Sequence, residues 1–354
     1  IASCLVGSEM CIRDRNKTVG RVYLTDIYNV IHSEFVPLFN PFQSYFDHLP
    51  SWDGVSDPIG DLADTVHVKS DQAEFRDYFR KWFVGILPAL LDDTVVNHEI
   101  LVLIGEQGLY KTTWFNFLLP PELRCYFYTK TNSDRLNKDD LFSLTEFALI
   151  CFEELDGMRP AELNQLKAMV TMPYVNERAA YGRNKERHPH IASFCGTGNN
   201  VQFLTDPTGN RRWLPFEVSQ IRDPHLHAIP YELVYSQAYA LWKSGFCHWF
   251  SQEEIRKLNM HNSRFEVPNL EEDLIRTHFR KPFEGEAGIF VTAADILEQI
   301  SSCLRYPLSP NKIGRIMAGL EFESIRYKGK RGYITVKKTG EDIDRERRSG
   351  ALGL

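Results

Sequence analysis

The sequence predicts an α/β protein whose core is a mostly parallel sheet, flanked by an N-terminal helical segment and a C-terminal winged helix-turn-helix. Apolar runs typical of buried strands occur at 101–104, 147–152 and 191–196, and helical patterns such as 160–171 lie between them. Strands that alternate with helices favour a parallel sheet, because parallel neighbours need a crossover connection. The C-terminal part gives two helical patterns and then a strand pair, which is the order of a winged helix.

Amphipathic helical patterns account for the segments on either side of the apolar runs. At 72–91, aromatic and aliphatic residues recur at spacings of three and four, which predicts a helix packed on the core. Beyond position 218 the pattern becomes helical, most clearly at 231–242. The segment 268–286 is charged, and we expect it to be a connector.

The composition is that of a soluble globular chain. The 354 residues are 43% hydrophobic, and the formal charge of -6 excludes a protein that is polybasic throughout, so any DNA affinity must come from local patches. Seven cysteines without C-x-x-C spacing favour reduced thiols and a cytoplasmic location. No apolar run approaches the roughly 18 residues that span a bilayer, so we expect no membrane partner.

The segment 101–113, LVLIGEQGLYKTT, predicts a phosphate-binding loop between a strand and a helix. Gly105 and Gly108 would let backbone N–H groups turn towards a polyphosphate, Lys111 would reach the β- and γ-phosphates, and Thr112 would offer a hydroxyl to Mg²⁺. Tyr110 departs from the usual pattern, which has glycine before the lysine. A strand-turn-helix with a chance lysine is the alternative. The predicted ATP-binding residues are Gly105, Gln107, Gly108, Leu109, Tyr110, Lys111, Thr112 and Thr113.

Acidic residues follow the next apolar run, in ALICFEELD at 148–156. At the carboxyl end of a strand, one acid can hold Mg²⁺ and another can orient the attacking water. We assign Mg²⁺ to Glu153 and the water to Glu154, with Asp156 in reserve, because alternation along a strand sends adjacent side chains to opposite faces. An exposed acidic turn that caps the next helix is the alternative.

Two polar segments close the set. Asn199, in CGTGNN, ends the following apolar run and is a candidate sensor of the γ-phosphate, although an ordinary Gly-Asn turn would look the same. Arg211 and Arg212, in DPTGNRRW, are either surface charge or arginine fingers that act across a subunit boundary.

The C-terminal part is locally basic. Helices are predicted at 292–301 and 310–320, and a strand pair around a glycine turn at 326–338. Between 309 and 338, eight basic residues stand against two acidic ones. A DNA-binding winged helix would use such charge, and a protein-docking winged helix is the alternative. The predicted DNA-binding residues here are Lys312, Arg315, Lys328, Lys330 and Arg331.

The order GEQGLYKTT, ICFEELDG, YGRNKERHPHIASFCGTGNN and FLTDPTGNRRW resembles the virulence-associated protein E family, the superfamily-3-like helicase ATPases of prophages and mobile elements. The resemblance covers 39–216 and includes NPFQSYFDHLPSWDG upstream. It implies an AAA+-like P-loop NTPase core that forms rings, expected to be hexameric, and acts on DNA, often beside a primase. It matches Lys111 and Thr112 to the Walker A pair, Glu153 and Glu154 to the Walker B acids and Asn199 to the sensor. Arg211 and Arg212 match the finger candidates.

Superfamily-3 helicases carry a DNA-contacting hairpin in the interval that holds ERAAYGRNKERHPH here. Basic residues interleaved with Tyr181 suit sequence-tolerant binding of single strands. A solvated loop is the alternative. The residues predicted to contact DNA in this interval are Arg178, Arg183, Lys185 and Arg187.

The predicted domain order follows from these segments. The chain begins with Ile1, so we expect a fragment, and 3–15 resembles translated adapter read-through of environmental sequences. The predicted parts are a non-native or disordered segment at 1–15, a helical pre-ATPase region at 16–92, the P-loop ATPase core at 93–220, a helical extension and connector at 221–286, a winged-helix-like domain at 287–338 and a charged tail at 339–354.

The first functional hypothesis is an ATP-hydrolysing, Mg²⁺-dependent DNA helicase or replication-initiation motor of a prophage or mobile element, acting on single-stranded or forked DNA. A primase partner, or a primase domain that preceded Ile1, would fit such a motor. The second hypothesis is a DNA-binding initiator or regulator that uses nucleotide as a switch, with Tyr110 marking low turnover. A small-molecule P-loop kinase is disfavoured, because the sequence shows neither a second phosphate-acceptor site nor an arginine-rich lid.

Overall fold

Two compact units, Ile1–Arg264 and Phe265–Leu354, make up the chain. The computed structural model describes residues 23–31, 33, 39–131, 138–177, 186–205, 210–268, 270–283, 285–301, 309–340 and 342. The predicted non-native segment 1–15 lies outside these residues. No helix in the described part of the chain is both long enough and apolar enough to cross a membrane.

Helices and strands alternate through the first unit. Its helices are α1 (Leu24–Ile31), α2 (Pro41–Asp47), α3 (Pro58–Ala63), α4 (Gln72–Leu91), α5 (Lys111–Leu118), α6 (Lys138–Glu146), α7 (Pro160–Val170), α8 (Tyr231–Lys243) and α9 (Gln252–Asn262). Its strands are β1 (Val66–Val68), β2 (Ile100–Ile104), β3 (Phe127–Lys130), β4 (Leu149–Phe152), β5 (Tyr174–Glu177), β6 (Glu186–Pro189), β7 (Ser193–Gly198) and β8 (Trp213–Ile221). Short 3₁₀ turns occur at Arg124–Tyr126, Leu155–Gly157, Asn210–Arg212 and, at the boundary of the units, Ser263–Phe265.

A mostly parallel sheet forms the centre of the first unit, as the sequence predicted. Within the described residues it has six strands in the order β1-β8-β2-β7-β4-β3, and only the short edge strand β1 runs antiparallel to its neighbour. Strands β2, β4 and β7 are buried along their whole length. Strands covered on both faces read as continuous apolar runs, which is why the sequence located them.

Helix α4 packs against one face of the sheet. Its bounds are those predicted from the spacing of its aromatic residues, and Phe75, Phe79 and Trp82 on its inner face are fully buried. Each such side chain contributes about 1.5–3 kcal/mol when removed from water. The indole N–H of Trp82 donates to the carbonyl of Phe194 in β7 at 2.9 Å. The helix is thereby fixed against the strand that lies between β2 and β4.

Strand β7 begins at Ser193 and ends at Gly198, two residues later at each end than the predicted run 191–196. The amides of Ile191 and Ala192 donate to the carbonyl of Leu144 at the end of α6, outside the sheet. Strand β3 was not predicted, because it is short and only its last residue is buried. That residue, Lys130, forms a buried ion pair with Asp140 at 2.5 Å.

The second unit contains helices α10 (Leu270–His278), α11 (Ala293–Ser301) and α12 (Pro310–Gly319), and strands β9 (Phe279–Arg280), β10 (Ile289–Val291), β11 (Ser324–Tyr327) and β12 (Lys330–Lys337). Its described strands form an antiparallel sheet in which β12 pairs with the other three. Lys328 and Gly329 join β11 to β12 with φ of +49° and +80°. Two residues with positive φ are typical of a tight hairpin turn.

The segment 268–286, predicted to be a charged connector, contains α10 and β9. Ile275 and Phe279 are buried in the core of the second unit together with Ile296, Ile313 and Met317. Of the charged residues that suggested a connector, Asp273 and Arg276 are exposed on this helix, whereas Glu271 is buried.

Candidate functional site

The carboxyl ends of the parallel strands bring the predicted site segments to one edge of the sheet. Strand β7 lies between β2 and β4, with Ile104 opposite Gly198 and Phe152 opposite Gly196. The chain segments that follow these strands hold the predicted loop, the acids and the sensor asparagine. In open α/β sheets this edge is where ligands bind.

The loop between β2 and α5 is shaped by two glycines and by Tyr110. A Cβ at Gly105 would lie 2.9 Å from the carbonyl oxygen of Val218, so close packing against β8 requires glycine there. Gly108 has a φ of +90° and Tyr110 a φ of +58°. Tyr110 is therefore a non-glycine residue in the left-handed region, at the position where the usual pattern has glycine. In the described part of the chain, no side chain caps the first turn of α5, whose N–H groups can receive an anion.

Lys111 begins α5 and its amine folds back over the loop. The Nζ atom donates to the carbonyls of Gly105 at 2.6 Å and Glu106 at 2.8 Å, and lies 3.4 Å from Oδ1 of Asn199. Burial lowers the pKa of Lys111, and the nearby charge of Asp156 opposes this shift. Lys111 and the sensor candidate are thus neighbours.

Thr112 and Glu153 meet across the end of β7. The Thr112 hydroxyl donates to Oε1 of Glu153 at 2.8 Å, and the amide of Glu153 donates to the carbonyl of Lys130 at 2.9 Å. A hydroxyl and a carboxylate oxygen side by side fit the preference of Mg²⁺ for a few oxygen ligands from protein, completed by phosphate and water. These two side chains are the ones that would hold the ion.

Glu154 is exposed and has a φ of +54° at the start of the turn Leu155–Gly157. Strand β4 ends at Phe152, so Glu153 and Glu154 do not alternate along a strand, and their different roles stay a prediction.

Asp156, which the sequence analysis gave only as a reserve acid, contacts the segment that follows β7. Its Oδ1 accepts from the amide of Asn199 at 3.1 Å, and its Oδ2 accepts from the amide of Asn200 at 3.1 Å and from the Asn200 side chain at 2.7 Å. The carboxylate therefore links the turn after β4 to the segment after β7. Nothing in the local sequence pattern identifies this link.

Arg211 and Arg212 lie at the amino ends of the parallel strands, at the opposite edge of the sheet from Lys111. They end a 3₁₀ turn that leads into β8, whose first residue Trp213 pairs with Ile100, the first residue of β2. The length of β2, about 15 Å, therefore separates the arginines from the loop of their own chain. The structure does not bring these predicted catalytic residues to Lys111 within one chain.

The turn that carries the two arginines is anchored from α9. The side-chain amide of Asn262, which is fully buried, donates to the carbonyls of Asn210 at 2.8 Å and Trp213 at 3.0 Å. Sequence reasoning missed this residue, because an asparagine near the end of a polar helix carries no signal of its own.

A cavity of about 190 Å³ adjoins the arginines; it is lined by Val96, His98, Glu99, Arg211, Arg212, His248, Trp249, Phe250 and Ile255. Burial raises the pKa of Glu99 to about 7, while the positive charges of Lys81 and Arg212 oppose the shift. Burial also lowers the pKa of Arg212. Arg211 is exposed and Arg212 is half-buried, so this edge is only partly shielded from water.

Of the predicted DNA-contacting residues in the first unit, Arg187 is described and exposed. It lies on β6, which pairs with β5 in a two-stranded antiparallel sheet, and its guanidinium lies 3.5 Å from the ring centroid of Tyr174. Arg178, Arg183 and Lys185 lie outside the described residues.

The predicted DNA-binding residues of the second unit differ in their surroundings. The Lys312 amine forms an ion pair with the buried carboxylate of Glu271, whereas Arg315 on the same helix is exposed. Lys328 stands in the turn between β11 and β12, and Lys330 is exposed beside it. Arg331 is exposed and donates to the hydroxyl of Ser324 at 2.9 Å. Lys312 is thus engaged inside its unit, and the hairpin residues face solvent.

Comparison with known proteins gives one family. A family model described as the Virulence-associated protein E-like domain matches residues 47–267. No curated protein matches the chain.

Among solved structures, the chain is similar to the apo structure of the NrS-1 C terminal region (305-718), at 12% identity and a TM-score of 0.46, over 83% of this chain and 78% of that one. It is also similar to the A form apo structure of the same region, at 13% identity and a TM-score of 0.44, with the same coverage.

Proposed function

This chain belongs to the Virulence-associated protein E-like domain family, and on that premise we propose that it is an ATP-hydrolysing DNA helicase or replication-initiation motor of a prophage or mobile element. One observation carries the proposal. At a single edge of the sheet, Lys111 lies beside Asn199 and Thr112 is hydrogen-bonded to Glu153. An amine, a hydroxyl, a carboxylate and an amide beside a helix start without a side-chain cap support binding of a nucleoside triphosphate.

In the proposed P-loop, the loop amides and the first turn of α5 bind the phosphates, and Lys111 moves from its carbonyl partners to the β- and γ-phosphates. Thr112 and Glu153 would hold Mg²⁺, which would supply positive charge against the phosphates. Glu154 orients the attacking water and accepts its proton. Asn199 hydrogen-bonds the γ-phosphate or that water.

The position of Arg211 and Arg212 supports arginine fingers supplied by a neighbouring subunit. Because they lie about 15 Å from the loop of their own chain, each subunit would serve the site of the next one in a closed ring, for which we propose six copies. In such a ring, the β5–β6 hairpin and the winged-helix-like second unit would contact DNA through their basic residues. We further propose action in the cytoplasm of a bacterial host, beside a primase.

A second candidate function is a nucleotide-switched initiator with little turnover. Tyr110 favours it, since an exposed ring in a left-handed position stands at the start of α5, where glycine would leave more space for phosphate. The two functions differ in hydrolysis and share nucleotide binding.

ATP hydrolysis measured with and without single-stranded DNA tests the proposal. We expect turnover that rises with DNA and falls roughly 100-fold or more in Lys111→Ala, because one preorganised donor to a developing anion is worth that much. Lys257→Ala is the matched control, since Lys257 is an exposed lysine paired with Glu253 on α9, and it should keep wild-type activity. ATP binding without turnover would favour the switch. Absence of both ATP binding and ATP turnover would overturn both candidate functions.

A further inference from the structure

The carboxylate of Asp156 connects two segments of the proposed nucleotide site. It accepts three hydrogen bonds from Asn199 and Asn200, and both of its oxygens are used. Asp156 belongs to the turn after β4, while the asparagines follow β7, 43 residues later in the case of Asn199. A carboxylate that accepts several N–H bonds is a strong and directional anchor.

Two glycines in β7 make room for this contact. A Cβ at Gly196 would lie 2.2 Å from Cδ1 of Leu155, and a Cβ at Gly198 would lie 3.1 Å from Oδ1 of Asp156. The glycines alternate along the strand and therefore share one face. That face accepts the turn Leu155–Gly157, which brings Asp156 within reach of the backbone after Gly198.

The same segment is tied to the phosphate-binding loop. The amide of Gly105 donates to the carbonyl of Gly198 at 3.1 Å, and the side chain of Asn199 lies 3.4 Å from the Lys111 amine. Asn199 is exposed, and the hydrogen bond from its amide to Asp156 restrains its backbone.

We propose that Asp156 is a positioning residue of the nucleotide site, which holds Asn199 and Asn200 so that the Asn199 side chain faces Lys111. This inference rests on the function proposed above. In this role, Asp156 acts on hydrolysis through Asn199, to whose amide it is hydrogen-bonded.

Asp156→Asn tests the role with little change in shape. The new amide group keeps one acceptor oxygen and turns an NH₂ group towards backbone N–H donors, so at least one bond is lost. We expect kcat to fall roughly 10- to 100-fold, as for other residues that orient a catalytic group, while the Kd for ATP changes less than about threefold. The Asp156→Asn/Asn199→Ala double variant should be about as slow as Asn199→Ala alone, because both changes remove one function.

Asp53→Asn is the matched control. Asp53 also accepts from two backbone amides and one side chain, those of Val55 and Ser56, outside the site residues. The Asp53→Asn substitution should leave kcat unchanged. A fall in kcat in Asp156→Asn alone would then be due to the lost contact in the site and not to the general loss of an aspartate that stabilises a turn.

Amide hydrogen exchange supplies a readout that does not depend on activity. Exchange at Asn199 and Asn200 should accelerate in Asp156→Asn and stay at the wild-type rate in Asp53→Asn. If amide exchange at Asn199 and Asn200 is unchanged in Asp156→Asn, the proposed role of Asp156 is wrong. The same holds if the enzyme is active and the effects of Asp156→Asn and Asn199→Ala on kcat are additive. Neither result would affect the proposed function. A wild-type chain that binds no ATP would instead overturn the proposed function.

Discussion

The amine of Lys111 is buried and held mainly by uncharged carbonyl oxygens of its own loop. Hydrogen bonds to neutral acceptors compensate a buried charge less well than an anion does. Burial accordingly lowers the pKa of Lys111. In the proposed site, exchange of these carbonyls for a phosphate group would give the amine a stronger partner.

At the opposite edge, Glu99 predicts a pH dependence of stability. Burial raises its pKa from 4.5 to about 7 in the folded chain. A raised carboxyl pKa means that the folded state holds the proton more tightly, so the stabilisation is complete below about pH 4.5 and is lost as the pH rises through about 7. The group should contribute up to about 3 kcal/mol less to the free energy of unfolding at pH 8 than at pH 4.

The measurement is urea unfolding at pH 5.5 and pH 8 for the wild type and Glu99→Gln. All six tryptophans precede residue 265, so tryptophan fluorescence reports the first unit. The variant should lose less stability than the wild type between the two pH values, and Glu253→Gln, at an exposed helix position, should behave as the wild type. Equal losses in the wild type and Glu99→Gln would contradict the assignment.

Among the elements of the second unit, α12 carries two of the residues predicted to bind DNA, and the two have different surroundings. Lys312 pairs with Glu271 on α10, whose side chain is only 4% exposed, whereas Arg315 is exposed. Lys312→Ala would leave a buried carboxylate without its cation, so we expect the second unit to lose about 1–3 kcal/mol of stability. Arg315→Ala should change stability by less than about 0.5 kcal/mol.

Far-UV circular dichroism and tryptophan fluorescence together measure this difference. Fluorescence reports the first unit, whereas circular dichroism reports both units. In Lys312→Ala, the urea midpoint of the second unit's dichroism signal should fall, while the fluorescence midpoint stays constant. DNA affinity then tests the helix through Arg315→Ala, whose fold is intact. A Lys312→Ala variant as stable as the wild type by both probes would show that the ion pair does not support the unit.

The elements also show which sequence signals were sufficient. The buried parallel strands and the aromatic face of α4 were predicted, because buried elements have a continuous or periodic pattern of apolar residues in the sequence. The ends of β7 were shifted by two residues, since the two amides before it bond to α6 and not to the sheet. Strand β3 escaped prediction because its pairing with β4, not its own composition, makes it a strand.

The same reasoning explains the candidate site. Loop, acids and sensor could be placed at one edge because parallel strands present their carboxyl ends together. The link from Asp156 to Asn199 joins residues 43 positions apart, and the link from Asn262 to Asn210 joins residues 52 positions apart. Single polar residues with distant partners leave no periodic pattern, so these supporting contacts emerge only from the folded chain.

For the whole molecule, the two edges of the sheet suggest an assembly of identical subunits. One edge carries Lys111, and the other carries Arg211 and Arg212. In the proposed ring, a head-to-tail contact would join one edge to the opposite edge of the next copy, and such contacts form a ring when the rotation between copies closes.

Mixing of inactive subunits tests this arrangement. Lys111→Ala subunits retain both arginines, and Arg211→Ala or Arg212→Ala subunits retain the loop, so mixed rings should regain part of the hydrolysis that each variant lacks alone. Size-exclusion chromatography provides the control for ring formation. Absence of any recovery in intact mixed rings would contradict fingers supplied between chains.

The most direct test of the central claim, that Lys111, Thr112, Glu153 and Asn199 form one nucleotide site, is equilibrium binding of a fluorescent, non-hydrolysable ATP analogue in the presence of Mg²⁺. The wild type and Lys257→Ala should bind it equally, and Lys111→Ala should bind it roughly 10- to 100-fold more weakly, as expected for loss of one charged hydrogen bond. Equal affinity of Lys111→Ala and the wild type would contradict the claim.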